Sequence, residues 1–280
     1  MGYQILEKRV LGPDSHLLVV KASHVARSAK PGQFVVLRIY EKGERIPLTI
    51  ANSDKEKGTV SIIFQVVGKT TQHLSSFNEG DEIYDFLGPL GTPTEIEKFG
   101  CVAALGGGFG TAVLYPLVRA LKSKDNYVIV VNGARNEKFL ILEDELKRLS
   151  DEYYVTTDDG SKGFKGFVTD FLRHLIENEH KKIDRVFAVG PVLMMKSVAG
   201  LTKKYTIKTI VSLNPIMVDG TGMCGACRVE IGDETKFACV DGPDFDAHKV
   251  NFDLLTKRLQ MYKKEEEICL AKIIQKSSGE

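Results

Sequence analysis

An aspartate and three cysteines share one short stretch of this chain: Asp219-x4-Cys224-x2-Cys227-x11-Cys239, in the run DGTGMCGACRVEIGDETKFAC. A C-x4-C-x2-C…C spacing suits a plant-type [2Fe–2S] cluster, because one short loop wraps its thiolates around two irons. Asp219 stands at the first ligand position, so the reading is a cluster held by Asp219, Cys224, Cys227 and Cys239. Gly220, Gly222 and Gly225 let the backbone approach closely and aim N–H groups at the sulfides. Two plainer readings compete. Three cysteines can bind a structural zinc with His248 or Asp219 as fourth ligand, although zinc sites usually carry two C-x2-C-like pairs and this chain has one. Asp219 can also be a turn residue before Gly220. Cys101 opens an apolar strand and reads as a packed thiol, and Cys269, in an apolar C-terminal turn, reads as structural.

A second constellation is glycine-rich. Gly106-Gly107-Gly108-Phe109-Gly110-Thr111 follows an expected strand and opens an expected helix. Such a turn lets the backbone approach a pyrophosphate while the helix N-terminus faces its charge. A strict G-x-G-x-x-G fails, because Thr111 occupies the last glycine position, and the next strand ends in Val131-Asn132-Gly133-Ala134-Arg135 without a ribose-binding acid. The alternative is an ordinary glycine-rich strand–helix turn. Asp158-Asp159-Gly160 and Gly190-Pro191-Val192-Leu193-Met194 close two further strands at the same expected sheet edge. Upstream, Arg45-Ile46-Pro47-Leu48-Thr49 offers a guanidinium for a pyrophosphate and a hydroxyl for a flavin. Val67-Gly68-Lys69-Thr70-Thr71 offers a turn of backbone and hydroxyl donors. Their plain alternatives are a surface arginine and a hairpin turn.

The elements that must position these residues fall into blocks. Residues 1–98 read as short strands (Tyr3–Val10, His16–Ala22, Gln33–Ile39, Pro47–Ala51, Val60–Val67, Glu82–Phe86) separated by Gly, Pro, Asn and Asp clusters, the pattern of a closed antiparallel barrel. Gly88-Pro89-Leu90-Gly91-Thr92-Pro93 reads as a linker. From 99 to 214, apolar strands (Cys101–Leu105, Tyr127–Val131, Tyr153–Thr156, Val186–Val189, Thr209–Ser212) alternate with helices (Thr111–Lys122, Leu142–Ser150, Val168–Glu177, Leu193–Lys204). That alternation predicts a doubly wound parallel sheet covered on both faces. The cysteine loop occupies 215–248, and 249–280 reads as a charged helical tail whose KKEEE run is a solvated face.

The totals exclude several classes. The 280 residues suffice for two domains and an appendage. A formal net charge of +1 gives no reason to expect nucleic acid or a membrane surface as partner. No apolar run reaches transmembrane length, and the first residues lack an export pattern and a myristoylation motif. Five cysteines, three of them clustered, predict a reducing cytoplasmic setting.

Barrel, nucleotide lobe and cysteine loop together resemble the ferredoxin–NADP reductase superfamily over nearly the whole chain. Within it, their order resembles the electron-transfer subunits of NAD-dependent dihydroorotate dehydrogenases. It is more similar to the small subunits of NADH-dependent reduced ferredoxin:NADP oxidoreductases, also called sulfide dehydrogenase small subunits. RIPLTI at 45–50, Asp219 where dihydroorotate-type subunits carry cysteine, and VDGPDFDAH at 240–248 bear that resemblance. It implies an oxidoreductase with FAD against Arg45, Pro47, Leu48 and Thr49, and with Phe64, Gln65, Val66, Thr70 and Thr71 nearby. It implies NAD(H) over Gly106, Gly107, Gly108, Gly110, Thr111, Asp158, Asp159, Gly190, Pro191 and Met194. The residues themselves favour NADH, because the two aspartates repel a 2′-phosphate, against which Arg135 stands at a strand end where such a phosphate could lie. It implies hydride exchange through cofactors without a protein acid or base, and single electrons passing from the flavin to the [2Fe–2S] cluster. The implied partner is a larger subunit with a second FAD and [4Fe–4S] clusters, which couples ferredoxin and NADP(H) by electron bifurcation. The alternatives are a dihydroorotate dehydrogenase subunit and a zinc-bearing, non-catalytic module on a reductase fold.

Overall fold

The computed structural model describes residues 2–268. Its first part is a seven-stranded antiparallel sheet built from β1 (Tyr3–Gly12), β2 (Ser15–Lys21), helix α1 (Ser23–Ser28), β3 (Phe34–Arg38), β4 (Ile46–Asp54), β5 (Thr59–Gln65), helix α2 (Lys69–Ser75), β6 (Glu82–Ile83) and β7 (Asp85–Leu90). The strand order is β6-β1-β2-β5-β4-β3-β7, so the two edges are consecutive strands with Tyr84 alone between them. The sheet must therefore curl until its edges meet, which gives a nearly closed barrel. Alternation packs the inside: Ile5, Leu18, Val20, Leu37, Ile62, Phe64 and Phe86 are all fully or almost fully buried. Each such side chain contributes roughly 1.5–3 kcal/mol relative to exposure.

The lobe follows as β8 (Cys101–Gly107), α3 (Thr111–Lys122), β9 (Tyr127–Ala134), α4 (Glu143–Leu149), β10 (Glu152–Thr157), β11 (Phe164–Lys165), α5 (Val168–Glu177), β12 (Arg185–Val189), α6 (Val192–Lys204) and β13 (Lys208–Ser212). Its strands run parallel in the order β11-β10-β9-β8-β12-β13. The order reverses at β8, so the crevice for a ligand lies beyond the carboxyl ends of β8 and β12. Continuous burial along β8 and β9 is what a sheet covered on both faces requires.

The last part is a hairpin, β14 (Arg228–Ile231) and β15 (Glu234–Phe237), then β16 (Asp244–Asp246), which joins β13 antiparallel, and α7 (Phe252–Arg258). It shares one core with both other parts. Phe34 and Val36 of the barrel, Val211 and Leu213 of the lobe, and Cys227, Cys239 and Phe245 are buried in the same cluster. The KKEEE run at 263–267 is helical and exposed. Cys269 and the remaining tail lie outside the described residues.

Two expectations are corrected. Gly88–Pro93 is not a free linker. Its first half ends β7, where Pro89 is tolerated because β7 is an edge strand. Its second half is pinned: Gln33 Nε2 donates to the Gly91 carbonyl at 2.9 Å, and Thr92 N donates to the Gly242 carbonyl at 2.7 Å. The segment Val67–Thr71, expected as a turn of backbone and hydroxyl donors, instead opens helix α2, which also removes the hairpin-turn alternative. The Thr71 hydroxyl accepts from the N–H groups of Val67 and Gly68, both at 3.0 Å, and so caps the helix from inside its first turn.

Candidate functional site

The sequence-predicted groups lie on parts of the structure that share cores: Ala51 of β4 packs with α3, and Val36 of the barrel packs with Cys227 and Cys239. The crevice beyond β8 and β12 is made of glycine against glycine. A Cβ on Gly190 would lie 2.9 Å from the Gly107 carbonyl oxygen, and one on Gly110 would lie 2.3 Å from that of Val189. The ends of β8 and β12 thus touch backbone to backbone, which only glycine permits. Gly108 has φ +55 and nothing within 4 Å of its missing side chain, so the turn opens outward there. Helices α3 and α6 begin immediately after these two turns, and their N–H ends face the same crevice. Met194 packs over Gly107, and Pro191 stands exposed at the start of α6. Thr111 plays another part than expected: its side chain is buried and donates to Asn132 Oδ1 at 2.8 Å. Asp158 and Asp159 are exposed beyond β10. Hydrogen bonds from Ser161, its hydroxyl foremost and then its N–H at 2.9 Å, hold the Asp159 carboxyl below the usual carboxylate range.

In the barrel, β4 serves both neighbours. Pro47, Leu48 and Thr49 are half-buried along it. Farther on, Ala51 packs into the core under α3, and Arg119 of α3 donates to Asn52 Oδ1 at 2.6 Å. Arg45 is exposed just before β4. The Thr70 hydroxyl donates to Glu44 Oε2 at 2.5 Å, which brings the Arg45 segment beside the start of α2. Gln65 and Val66 are half-buried at the end of β5. Phe64 is wholly inside the barrel, stacked on His16, and presents only its backbone to this face.

The cysteine hook is wound by glycines in the left-handed region, Gly220 (φ +76), Gly222 (φ +85) and Gly225 (φ +67). Its donors come in two pairs. Cys224 N donates to Asp219 Oδ2 at 2.8 Å, and Thr221 N donates to Asp219 Oδ1 at the same distance. These bonds, that from Thr221 foremost, depress the Asp219 pKa and leave each oxygen a second lone pair. Cys227 and Cys239 form the other pair, with Cys239 N donating to Cys227 Sγ at 3.4 Å. Burial, then the Cys227 sulfur beside it, push the Cys239 thiol up to about 12. Buried, adjacent sulfurs of this kind are costly as bare thiolates, and a bound cation removes that cost. Among the described residues no three His, Cys, Asp or Glu side chains converge to hold a single ion. His248, the alternative zinc ligand, is instead 3.0 Å from Thr202 Oγ1. Two irons need a donor pair each, and the chain sets Asp219 beside Cys224 and Cys227 beside Cys239 through these backbone bonds.

The hook lies directly on the barrel. A Cβ on Gly220 would sit 2.8 Å from Val36 Cγ2 and 2.9 Å from Leu90 Cδ1. Val36 pairs in register with Pro47. Sequence reasoning missed the seam that fastens the hook. The Thr92 hydroxyl donates to the Val240 carbonyl at 2.8 Å, and Thr94 donates to Asp244 Oδ2 at 2.5 Å. These partners are about 150 residues apart in the chain, so no local pattern marks them. It also missed Arg258, which reaches from α7 to the Ala226 carbonyl at 2.9 Å.

Comparison with known proteins agrees with this architecture. Residues 3–94 match the oxidoreductase FAD-binding domain, 104–200 the oxidoreductase NAD-binding domain, and 214–251 the iron–sulfur cluster binding domain of dihydroorotate dehydrogenase B. A Thermotoga maritima protein described as a dihydroorotate dehydrogenase B (NAD(+)) electron transfer subunit homolog is 48% identical, covering 99% of this chain and 97% of its own. The dihydroorotate dehydrogenase B electron transfer subunit of Desulforamulus reducens is 33% identical, covering 88% and 96%. A chain from the solved structure of an NADH-dependent reduced ferredoxin–NADP oxidoreductase, studied for flavin-based electron bifurcation, is 47% identical with a TM-score of 0.92, covering 98% of each. A Neisseria gonorrhoeae ferredoxin NADP+ reductase, at 18% identity and TM-score 0.60, shares the fold over 73% of this chain.

Proposed function

Since this chain belongs to the family of dihydroorotate dehydrogenase B-type electron-transfer subunits, within the ferredoxin–NADP reductase superfamily, we propose that it exchanges hydride with NAD(H) and passes single electrons to a larger partner subunit. FAD and the iron–sulfur cluster supply the conversion between electron pairs and single electrons. The protein's own work is holding and aiming. Pro47, Leu48, Thr49, Gln65 and Val66 provide the flavin face, and Arg45 with the start of α2 provides for its phosphates. The Gly106–Gly110 turn and Gly190–Met194 hold the dinucleotide, while Asp158 and Asp159 disfavour a 2′-phosphate. Asp219, Cys224, Cys227 and Cys239 hold the cluster.

The observation that carries this reading is the seat of Gly220 on Val36, the cross-strand neighbour of Pro47. Adjacent strands lie about 4.8 Å apart. The hook is therefore one strand removed from the proposed flavin strand, a short path for an electron.

The partner we infer is the larger subunit of an electron-bifurcating NADH-dependent ferredoxin:NADP+ oxidoreductase, carrying a second FAD and [4Fe–4S] clusters and serving ferredoxin and NADP(H). Likeness to the bifurcating enzyme's chain supports this, as does Asp219 at a position where a dihydroorotate-type subunit carries cysteine. Among the described residues there is one barrel and one hook, so in this reading bifurcation requires the partner. The second reading, an electron-transfer subunit of dihydroorotate dehydrogenase, is favoured by the names of several relatives. Native mass analysis of the complex isolated on this chain decides between them. A large subunit with FAD and [4Fe–4S] clusters is expected; an FMN-bearing subunit that oxidises dihydroorotate refutes the first reading.

A further inference from the structure

Arg228 and Arg258 both point their guanidiniums at the turn between the second and third metal-ligand positions. Arg228 Nη1 donates to the Gly225 carbonyl at 3.3 Å, and Arg258 Nη2 donates to the Ala226 carbonyl at 2.9 Å. Neither arginine takes part in an ion pair among the described residues. The two come from different elements. Arg228 opens β14 and is exposed, whereas Arg258 ends α7 and is half-buried.

In a trans peptide the C=O and N–H groups point in opposite directions. Holding the Gly225 and Ala226 carbonyls outward therefore turns the N–H groups of Ala226 and Cys227 inward. The first consequence is visible: Ala226 N lies 3.5 Å from Cys224 Sγ and donates to it. An iron–sulfur cluster with four anionic ligands carries net negative charge, and reduction adds one more. Hydrogen bonds to its sulfurs and nearby positive charge both favour the reduced form.

We propose that Arg258 and Arg228 are positioning residues that tune the cluster. They fix the Cys224–Cys227 turn with its N–H groups facing the sulfurs and set two uncompensated positive charges behind it, raising the reduction potential. Arg258 acts more strongly because its charge is less screened by solvent. The assignment rests on the iron–sulfur reading of the hook. It also gives α7 a part in electron transfer: Lys196 of α6 is bonded to Asp253 of α7 at 2.6 Å, so the helix carrying Arg258 is fastened to the one that opens at the nucleotide crevice.

The test is an EPR-monitored redox titration, with iron content, of the full chain and of Arg258→Gln, Arg258→Lys and Arg228→Gln. Wild-type iron content tests the iron–sulfur reading separately. Glutamine keeps a donor and loses the charge; lysine keeps both. The expected result is a lower cluster potential in Arg258→Gln, a smaller drop in Arg228→Gln, and a near-normal potential in Arg258→Lys. Loss of iron from Arg258→Gln with retention in Arg258→Lys also supports the proposal, because charge is what separates them. An unchanged potential in Arg258→Gln overturns it. So does an equal shift in the glutamine and lysine variants, loss of iron from both, or loss from lysine alone.

Discussion

Replacing Gly220 by alanine strikes the joint between hook and barrel. Gly220 has φ +76, a conformation that costs an L-residue about 1–2 kcal/mol. Its new methyl would stand 2.8 Å from Val36 Cγ2 and 2.9 Å from Leu90 Cδ1. Val36 is 3% exposed and belongs to the core shared by all three parts, so it has little room to retreat. Overpacking of this kind adds about 1–3 kcal/mol. The sum, roughly 2–5 kcal/mol, is a large share of the ~5–15 kcal/mol by which a domain is stable. The strain is relieved most easily by lifting the Gly220 end of the hook off the barrel. Gly220→Ala is thus expected to melt earlier, to keep its FAD, and to lose speed in electron passage to the cluster while flavin bleaching by NADH stays normal. Denaturant melts with stopped-flow spectra at flavin and cluster wavelengths separate these effects. A variant with wild-type stability and wild-type cluster reduction would show that the hook does not bear on the barrel as described.

Three further predictions follow from the site. Asp219→Cys should retain iron but change the EPR spectrum and potential, since a thiolate replaces a harder carboxylate; an unchanged spectrum means that Asp219 does not touch iron. Gly190→Ala should weaken NADH binding tenfold or more, about 1.4 kcal/mol or above, with FAD content unaltered, because its Cβ would meet Gly107 backbone atoms at 2.9–3.1 Å; an unshifted NADH titration refutes the crevice. Asp244, half-buried at the edge of a pocket of about 190 Å³, has its carboxyl pKa raised by burial. It keeps a proton in the native state that the unfolded chain gives up. Its stabilisation is therefore full below the ordinary carboxylate range and is lost as pH rises toward the raised native value. Asp244→Asn should flatten the urea midpoint across that window, and parallel profiles for the two proteins would contradict the assignment.

Much of the scaffold was legible because periodicity reports burial. Strands β8 and β9 read directly from unbroken apolar runs, and the glycine turn after β8 named its own place at a strand–helix junction. The errors came where tertiary context overrides local signals. Gly88-Pro89 reads as a break, yet an edge strand accommodates both residues. Thr70 and Thr71 read as turn residues, yet a threonine three positions after Gly68 caps a helix. Strand β16 has only three residues, and Phe245 alone supplies its apolar side. The paired grouping of the hook's donors was implicit in their spacing. The seam through Thr92 and Thr94 and the arginine from α7 were not, because their partners lie on elements that only folding brings near.

The account stands on the hook holding paired irons beside a flavin-bearing barrel. Metal and acid-labile sulfide quantification of anaerobically isolated protein tests that most directly. Two irons and two sulfides per FAD are predicted by the chemistry of a [2Fe–2S] cluster; stoichiometric zinc with negligible iron would contradict it.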